Sequence, residues 1–311
     1  MSRFYDLLHR TQGENSANRE PAAEAEVKDE RTSENSVLAE MSSSLARGLR
    51  TDGPNSEDSL ETAALRKELA TRCVQSAWSP DPSHTLLSSN GSLYSPGREE
   101  FRTLRSRLNL VRKRQQLNKI LITSPLPEEG KTLVAANLAQ AILWQHKQQI
   151  LLIDGDMRTP RLHIRLGAPA EPGLSDYLKG EADEFTVIKR GSENNLFLIP
   201  AGKPSPNANE LIGNGKLKLL LDRLTPVFDW IIVDSPPVIL LSDARLMGEL
   251  CDGVLMVVKA GSTPFDLAQT ACNEFRDKHF LGVVLNGAEH TSTYGYNYYH
   301  YYEGAKGKRS S

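Results

Sequence analysis

The chain has 311 residues, 39% of them apolar and 24% charged, with a formal net charge of −2. That is enough apolar material for one sizeable core and leaves one domain or two open. So balanced a charge argues against a general nucleic-acid or anionic-membrane surface. The scattered Cys73, Cys251 and Cys272, with no C-x-x-C pair, read as ordinary reduced thiols rather than a metal centre. No apolar run approaches the ~20 residues a membrane helix requires; the nearest, WIIVDSPPVILL, is broken by Asp234 and Pro236-Pro237. The N-terminus lacks the parts of a secretory signal, so a cytoplasmic location is expected.

Residues 1–94 are rich in Ser, Glu, Asn, Arg and Ala and predict a largely disordered extension with weak helical segments. One such segment is SRFYDLLHR, with Phe4, Leu7 and Leu8 on one face, which is either a docking peptide or a frayed end. The folded domain is expected over 95–290. It opens after Ser95-Pro96-Gly97 with a helix on which Phe101, Leu104, Leu108 and Val111 recur at helical spacing. Strands then alternate with helices: strand 119–124, helix 131–146, strand 149–156, and a looser segment to Asn195. Strand 196–202, helix 209–225, strand 229–236, helix 241–251, strand 253–261, helix 265–278 and strand 280–288 complete the series. Apolar strands alternating with helices predict an α/β fold, a mostly parallel twisted sheet covered by helices on both faces. Residues 291–311 are expected to form a flexible tyrosine-rich tail.

The segment ILITSPLPEEGKTLVAANLA runs from strand through tight loop to helix, the setting of a P-loop. Loop N–H groups and the positive end of the following helix favour a phosphate. Lys131 can bridge β and γ oxygens, and the Thr132 hydroxyl can ligate Mg²⁺. Pro125 stands where the first glycine of the usual pattern would be. Asp154 and Asp156 leave the next strand at its carboxyl end, and Asp234 ends another strand where a Walker-B carboxylate holds Mg²⁺.

Together these residues resemble the bacterial tyrosine kinases (BY-kinases) of polysaccharide export, the CpsD/CapB type, which share a P-loop fold with MinD and ParA ATPases. SPLPEEGKT corresponds to their Walker A loop, Asp154-Gly155-Asp156-Met157-Arg158 to Walker A′, and Asp234-Ser235-Pro236-Pro237 to Walker B. Two departures stand out. Glu128 replaces a glycine usual in the family, and Leu126 occupies the place of the MinD/ParA signature lysine, which argues against a partition or positioning ATPase.

The resemblance implies a protein-tyrosine autokinase using ATP and Mg²⁺. Glu129, Gly130, Lys131, Thr132, Leu133 and Asn286 would bind nucleotide, Asn286 against adenine, while Thr132, Asp154 and Asp234 organise the metal. Asp154, or failing that Asp156, would take the tyrosine proton, and Lys131 and Arg158 would steady phosphate charge. The acceptors would be Tyr294, Tyr296, Tyr298, Tyr299, Tyr301 and Tyr302, and Glu99, Arg102 and Arg105 carry the spacing of the family's ring-forming motif. Implied partners are further copies of the chain, a membrane chain-length activator that places it at the inner face of the membrane, and a cognate tyrosine phosphatase, with no nucleic acid. The implied process is exopolysaccharide or capsule polymerisation. A MinD/ParA-like ATPase switch and a catalytically weak scaffold of the same fold are the alternatives.

Overall fold

In a computed structural model of the chain, the six long apolar runs form strands where the sequence places them: β2 (Lys119–Thr123), β3 (Ile150–Asp154), β5 (Leu196–Ile199), β6 (Trp230–Asp234), β7 (Gly253–Lys259) and β8 (Phe280–Asn286). The structure describes residues 56–76, 78, 96–144, 148–191, 195–276 and 280–288. The expected SRFYDLLHR helix and the tyrosine cluster Tyr294–Tyr302 lie outside the described residues.

Two short strands, β1 (Val74–Gln75) and β4 (Lys189–Arg190), complete a sheet of order β1-β4-β5-β3-β6-β2-β7-β8. All of its pairings are parallel except β4 with β5. Every residue of β3, β5 and β6 is buried, because helices cover both faces and leave no solvated side to alternate with. The fold is therefore the α/β P-loop architecture expected from the alternation of elements.

The chain divides into two units, residues 1–64 and 65–311. Helix α1 (Ser56–Arg72) begins in the first and ends in the second. Within the second unit Leu69 and Cys73 are buried, Arg72 stacks 3.9 Å from the Phe185 ring centroid, and Val74-Gln75 pair with Lys189-Arg190. The second unit thus reaches back to Leu65, into residues that the sequence assigns to the extension. Two paired strand residues carry no periodicity that sequence could reveal.

Helix α2 (Pro96–Arg112) turns Phe101 and Leu108 into the core. It lies against α3 (Lys131–Leu143), whose residues are buried nearly all round. The looser segment contains α4 (Leu162–Leu166), α5 (Leu174–Lys179), α6 (Glu184–Val187) and β4. The helix expected over 209–225 is two, α7 (Ala208–Gly213) and α8 (Lys216–Leu224). They are parted at Asn214-Gly215, where Gly215 takes φ 84 and cannot continue a helix. Helices α9 (Asp243–Gly248) and α10 (Phe265–Asn273) complete the layers.

Candidate active site

The carboxyl ends of β2, β3 and β6 lie side by side at the centre of the sheet. Whatever leaves those ends is therefore gathered in one crevice, the usual ligand position of open α/β sheets. The β2–α3 loop is internally braced: Ser124 Oγ donates to the Leu126 carbonyl at 2.7 Å, and Leu126 N–H donates to Glu129 Oε2 at 3.2 Å. Gly130 caps α3 at φ 93, and a Cβ there would lie 2.0 Å from Asn286 Nδ2, so only glycine fits. No acidic residue sits in the first turn of α3, which leaves its positive end available to an anion. Glu128 adopts φ 62, the left-handed region that glycine would enter freely, and its side chain is exposed.

Asp154 and Asp234 are in register across β3 and β6, 0% and 1% exposed. Asp154 accepts from the Asp156 N–H at 3.2 Å and the Leu162 N–H at 3.0 Å. Asp156 accepts from Lys131 Nζ at 3.1 Å and, on its other oxygen, from Thr159 N–H and hydroxyl. Both oxygens of Asp234 are buried without a hydrogen bond of ordinary geometry. The structure thus brings Lys131, Thr132, Asp154, Asp156 and Asp234 together in one crevice.

Electrostatics follow from this crowding. Desolvation by burial pushes the Asp234 carboxyl up to about 6, while Lys131 and the nearby Thr132 hydroxyl favour its charged form. Burial and then the Asp234 charge raise Asp154 well above the carboxylate range. For Lys131, burial alone would lower the pKa, but the charges of Asp234, Asp156 and Asp154 outweigh it and raise it.

The orphaned Asp234 oxygens beside Thr132 suit a hard cation, and among the described residues no cluster of three or more His, Cys, Asp or Glu side chains forms a metal cage. That donor set fits Mg²⁺, which dehydrates reluctantly and is held through one or two carboxylates together with substrate phosphates. A pH prediction follows from it. Because the folded-state pKa of Asp234 is raised, the free native protein holds a proton there between about pH 4 and pH 6 that the unfolded chain releases. The stability contributed by this protonation is present below that window and is lost as pH rises through it. A cation needs the ionised form, so the rise in melting temperature on adding Mg²⁺·ADP is expected to be larger at about pH 7.5 than at about pH 5. Scanning fluorimetry at the two pH values measures it; an equal rise at both contradicts it.

Other expected residues are engaged differently. Arg158 donates from Nε to Asp243 Oδ2 at 2.8 Å and from a terminal nitrogen to the Pro206 carbonyl at 3.0 Å, so it clamps α9 and the segment before α7. Asn286 Nδ2 donates to the Glu129 carbonyl at 2.8 Å, placing the residue at the P-loop. On α2, Arg102 pairs with Glu99 at 3.0 Å, and Arg105 donates to the Ala141 carbonyl at 2.6 Å, near the end of α3 remote from the P-loop.

Sequence reasoning missed Asp243, buried beneath Arg158, and Thr263, whose hydroxyl donates to Glu129 Oε1. It also missed Arg165, whose buried Nε has no partner and whose charge acts on Asp234. Gly155 was within reach: it sits inside the D-G-D motif, and a Cβ there would lie 2.8 Å from the Asp234 carbonyl.

No family model matches the chain. Curated relatives do. Tyrosine-protein kinase YwqD of Bacillus subtilis is 30% identical over 203 residues, 65% of this chain and 85% of YwqD. Tyrosine-protein kinase wzc of Salmonella typhimurium is 34% identical over 207 residues, 66% of this chain but 28% of that longer protein. Among solved structures, the kinase domain of the Escherichia coli tyrosine kinase ETK superposes with TM-score 0.57 at 30% identity, covering 64% of this chain and 80% of that domain. With a P-loop, acidic residues at and just beyond two strand ends and a largely buried lysine arranged on this fold, and with YwqD matched over most of its length, the chain belongs to the bacterial tyrosine-protein kinases.

Proposed function

We propose that the chain is an autokinase that moves the γ-phosphate of ATP onto its own Tyr294, Tyr296, Tyr298, Tyr299, Tyr301 and Tyr302. The observation that carries this reading is the placement of Lys131 among Asp154, Asp156 and Asp234 at the mouth of the P-loop. Backbone N–H groups over Glu129 to Leu133 receive the phosphates, with Asn286 at the same wall. Thr132, Asp154 and Asp234 would hold Mg²⁺, which would neutralise charge on the phosphates. As the tyrosine oxygen bonds to phosphorus and ADP departs, the phenolic proton passes to Asp154, made more basic by its burial; Asp156 stays tied to Lys131. Arg158, which pairs with Asp243 in this structure, would steady phosphate charge on release from that pair.

Other copies of the chain, through Glu99, Arg102 and Arg105, and a membrane activator complete the proposed setting, with a tyrosine phosphatase resetting the tail. Control of exopolysaccharide or capsule polymerisation at the inner face of the membrane is the proposed role. Among the described residues no helix is long and apolar enough to cross a membrane.

Intact-mass spectrometry after incubation with ATP and Mg²⁺ tests the reading. A ladder of phosphate additions mapping to Tyr294–Tyr302 is expected. ATP turnover without added mass would instead support a nucleotide-driven switch.

A further inference from the structure

We infer that the Glu129 carboxylate, gripped by Thr263 and by the Leu126 amide, is a brace that holds the P-loop in its phosphate-receiving shape despite a non-glycine residue at position 128. The inference rests on the proposed binding of nucleotide at this loop. Glu129 is 3% exposed, and all of its acceptors are used. Oε1 accepts from the Thr263 hydroxyl, Oε2 accepts from the Leu126 N–H, and its main-chain oxygen accepts from Asn286 Nδ2.

The outside holders form one rigid piece. The Lys259 carbonyl accepts from the Ser262 and Thr263 amides, closing the turn after β7, and Ala260 N–H donates to the Asn286 carbonyl at 2.8 Å. Lys259 and Asn286 are also register partners in β7 and β8. Glu129 is therefore pinned at both its side chain and its backbone by the ends of two neighbouring strands.

The bond from Leu126 closes a ring over residues 126–129, and Glu128 at φ 62 lies inside it. A residue with a side chain disfavours that conformation by roughly five- to thirtyfold. With the ring pinned from outside, the loop cannot relax Glu128 out of the left-handed region without breaking a buried, charge-assisted hydrogen bond. Thr263 is accordingly a positioning residue. It would act on nucleotide through loop geometry, because its hydroxyl is committed to Glu129.

The test is a coupling measurement with Mg²⁺ and a fluorescent ADP analogue. Thr263→Val removes the donor at constant volume and is expected to weaken binding about tenfold, the usual scale for a hydrogen bond to a charged group. Thr263→Ser should bind as the wild type does. Glu128→Gly, which needs no brace, should tighten binding, and in that background Thr263→Val should cost about threefold or less. In the autokinase assay the Thr263→Val loss should fall on KM for ATP rather than on kcat.

Equal losses in the two backgrounds, or no loss, would overturn the brace. Should Thr263→Val fail to fold, Glu129→Gln, which keeps volume and removes the charge, must show the same dependence on position 128. A wild type that binds no nucleotide would sink the binding reading itself, and the brace with it.

Discussion

Replacing Lys131 with methionine is expected to cut tail phosphorylation by about 10²- to 10³-fold, the scale for losing one preorganised charge stabiliser. The side chain is 13% exposed and its ammonium stands 3.1 Å from Asp156, with the charges of Asp234 and Asp154 also bearing on it. Methionine keeps the length and apolar stem but leaves Asp156 buried without its cation. Breaking a buried pair from one side costs about 3–5 kcal/mol, reduced to the extent that a carboxyl takes up a proton. The ligand-free variant should therefore also melt earlier, most clearly above about pH 6, where the Asp234 carboxyl is ionised. Phosphate transfer by mass spectrometry and melting against pH check the two halves separately. Full activity would remove Lys131 from the chemistry.

Asp234→Asn should move stability and activity in opposite directions. Both oxygens of Asp234 are buried without a hydrogen bond of ordinary geometry, and although Lys131 and the Thr132 hydroxyl favour its charge, that charge is desolvated and lies beside Asp154 and Asp156. An amide of the same shape removes repulsion and desolvation, so the free protein should melt at the same or a higher temperature. It also removes the ionised oxygen offered to Mg²⁺. Activity should fall about 10²- to 10⁴-fold, and stabilisation by Mg²⁺·ADP should shrink with it. A variant that is both inactive and markedly less stable would mark Asp234 as a structural residue instead.

The large strands were legible because burial on both faces demands near-continuous apolar runs, and KILIT, ILLID and WIIVD are such runs. Asp154 and Asp234 could be placed because each ends such a run, with Asp156 two residues beyond the first, and parallel strands put their carboxyl ends on one edge. What escaped was long-range or too short for a period. Val74-Gln75 and Lys189-Arg190 are two-residue pairings. Asp243 meets Arg158 across 85 residues, and Thr263 meets Glu129 across 134. No local pattern distinguishes a threonine that will reach a P-loop from one that caps a helix. The break at Asn214-Gly215 was signalled by its own Asn-Gly pair, yet the apolar spacing on either side suggested a continuous helix.

Asn286 both ends the last strand and touches the P-loop, so the chain sets out for its tyrosines from the wall of its own nucleotide pocket. Tyr294 follows eight residues later and Tyr302 sixteen. Fully extended chain bounds their reach to about 29 Å and about 58 Å. A covalent link of that length would hold the proposed acceptors at an effective concentration on the millimolar scale wherever geometry permits. If those tyrosines are the acceptors, as proposed, a free tyrosine substrate would have to compete with that local supply, and phosphorylation of the tail would act as a gate on whatever else the enzyme modifies.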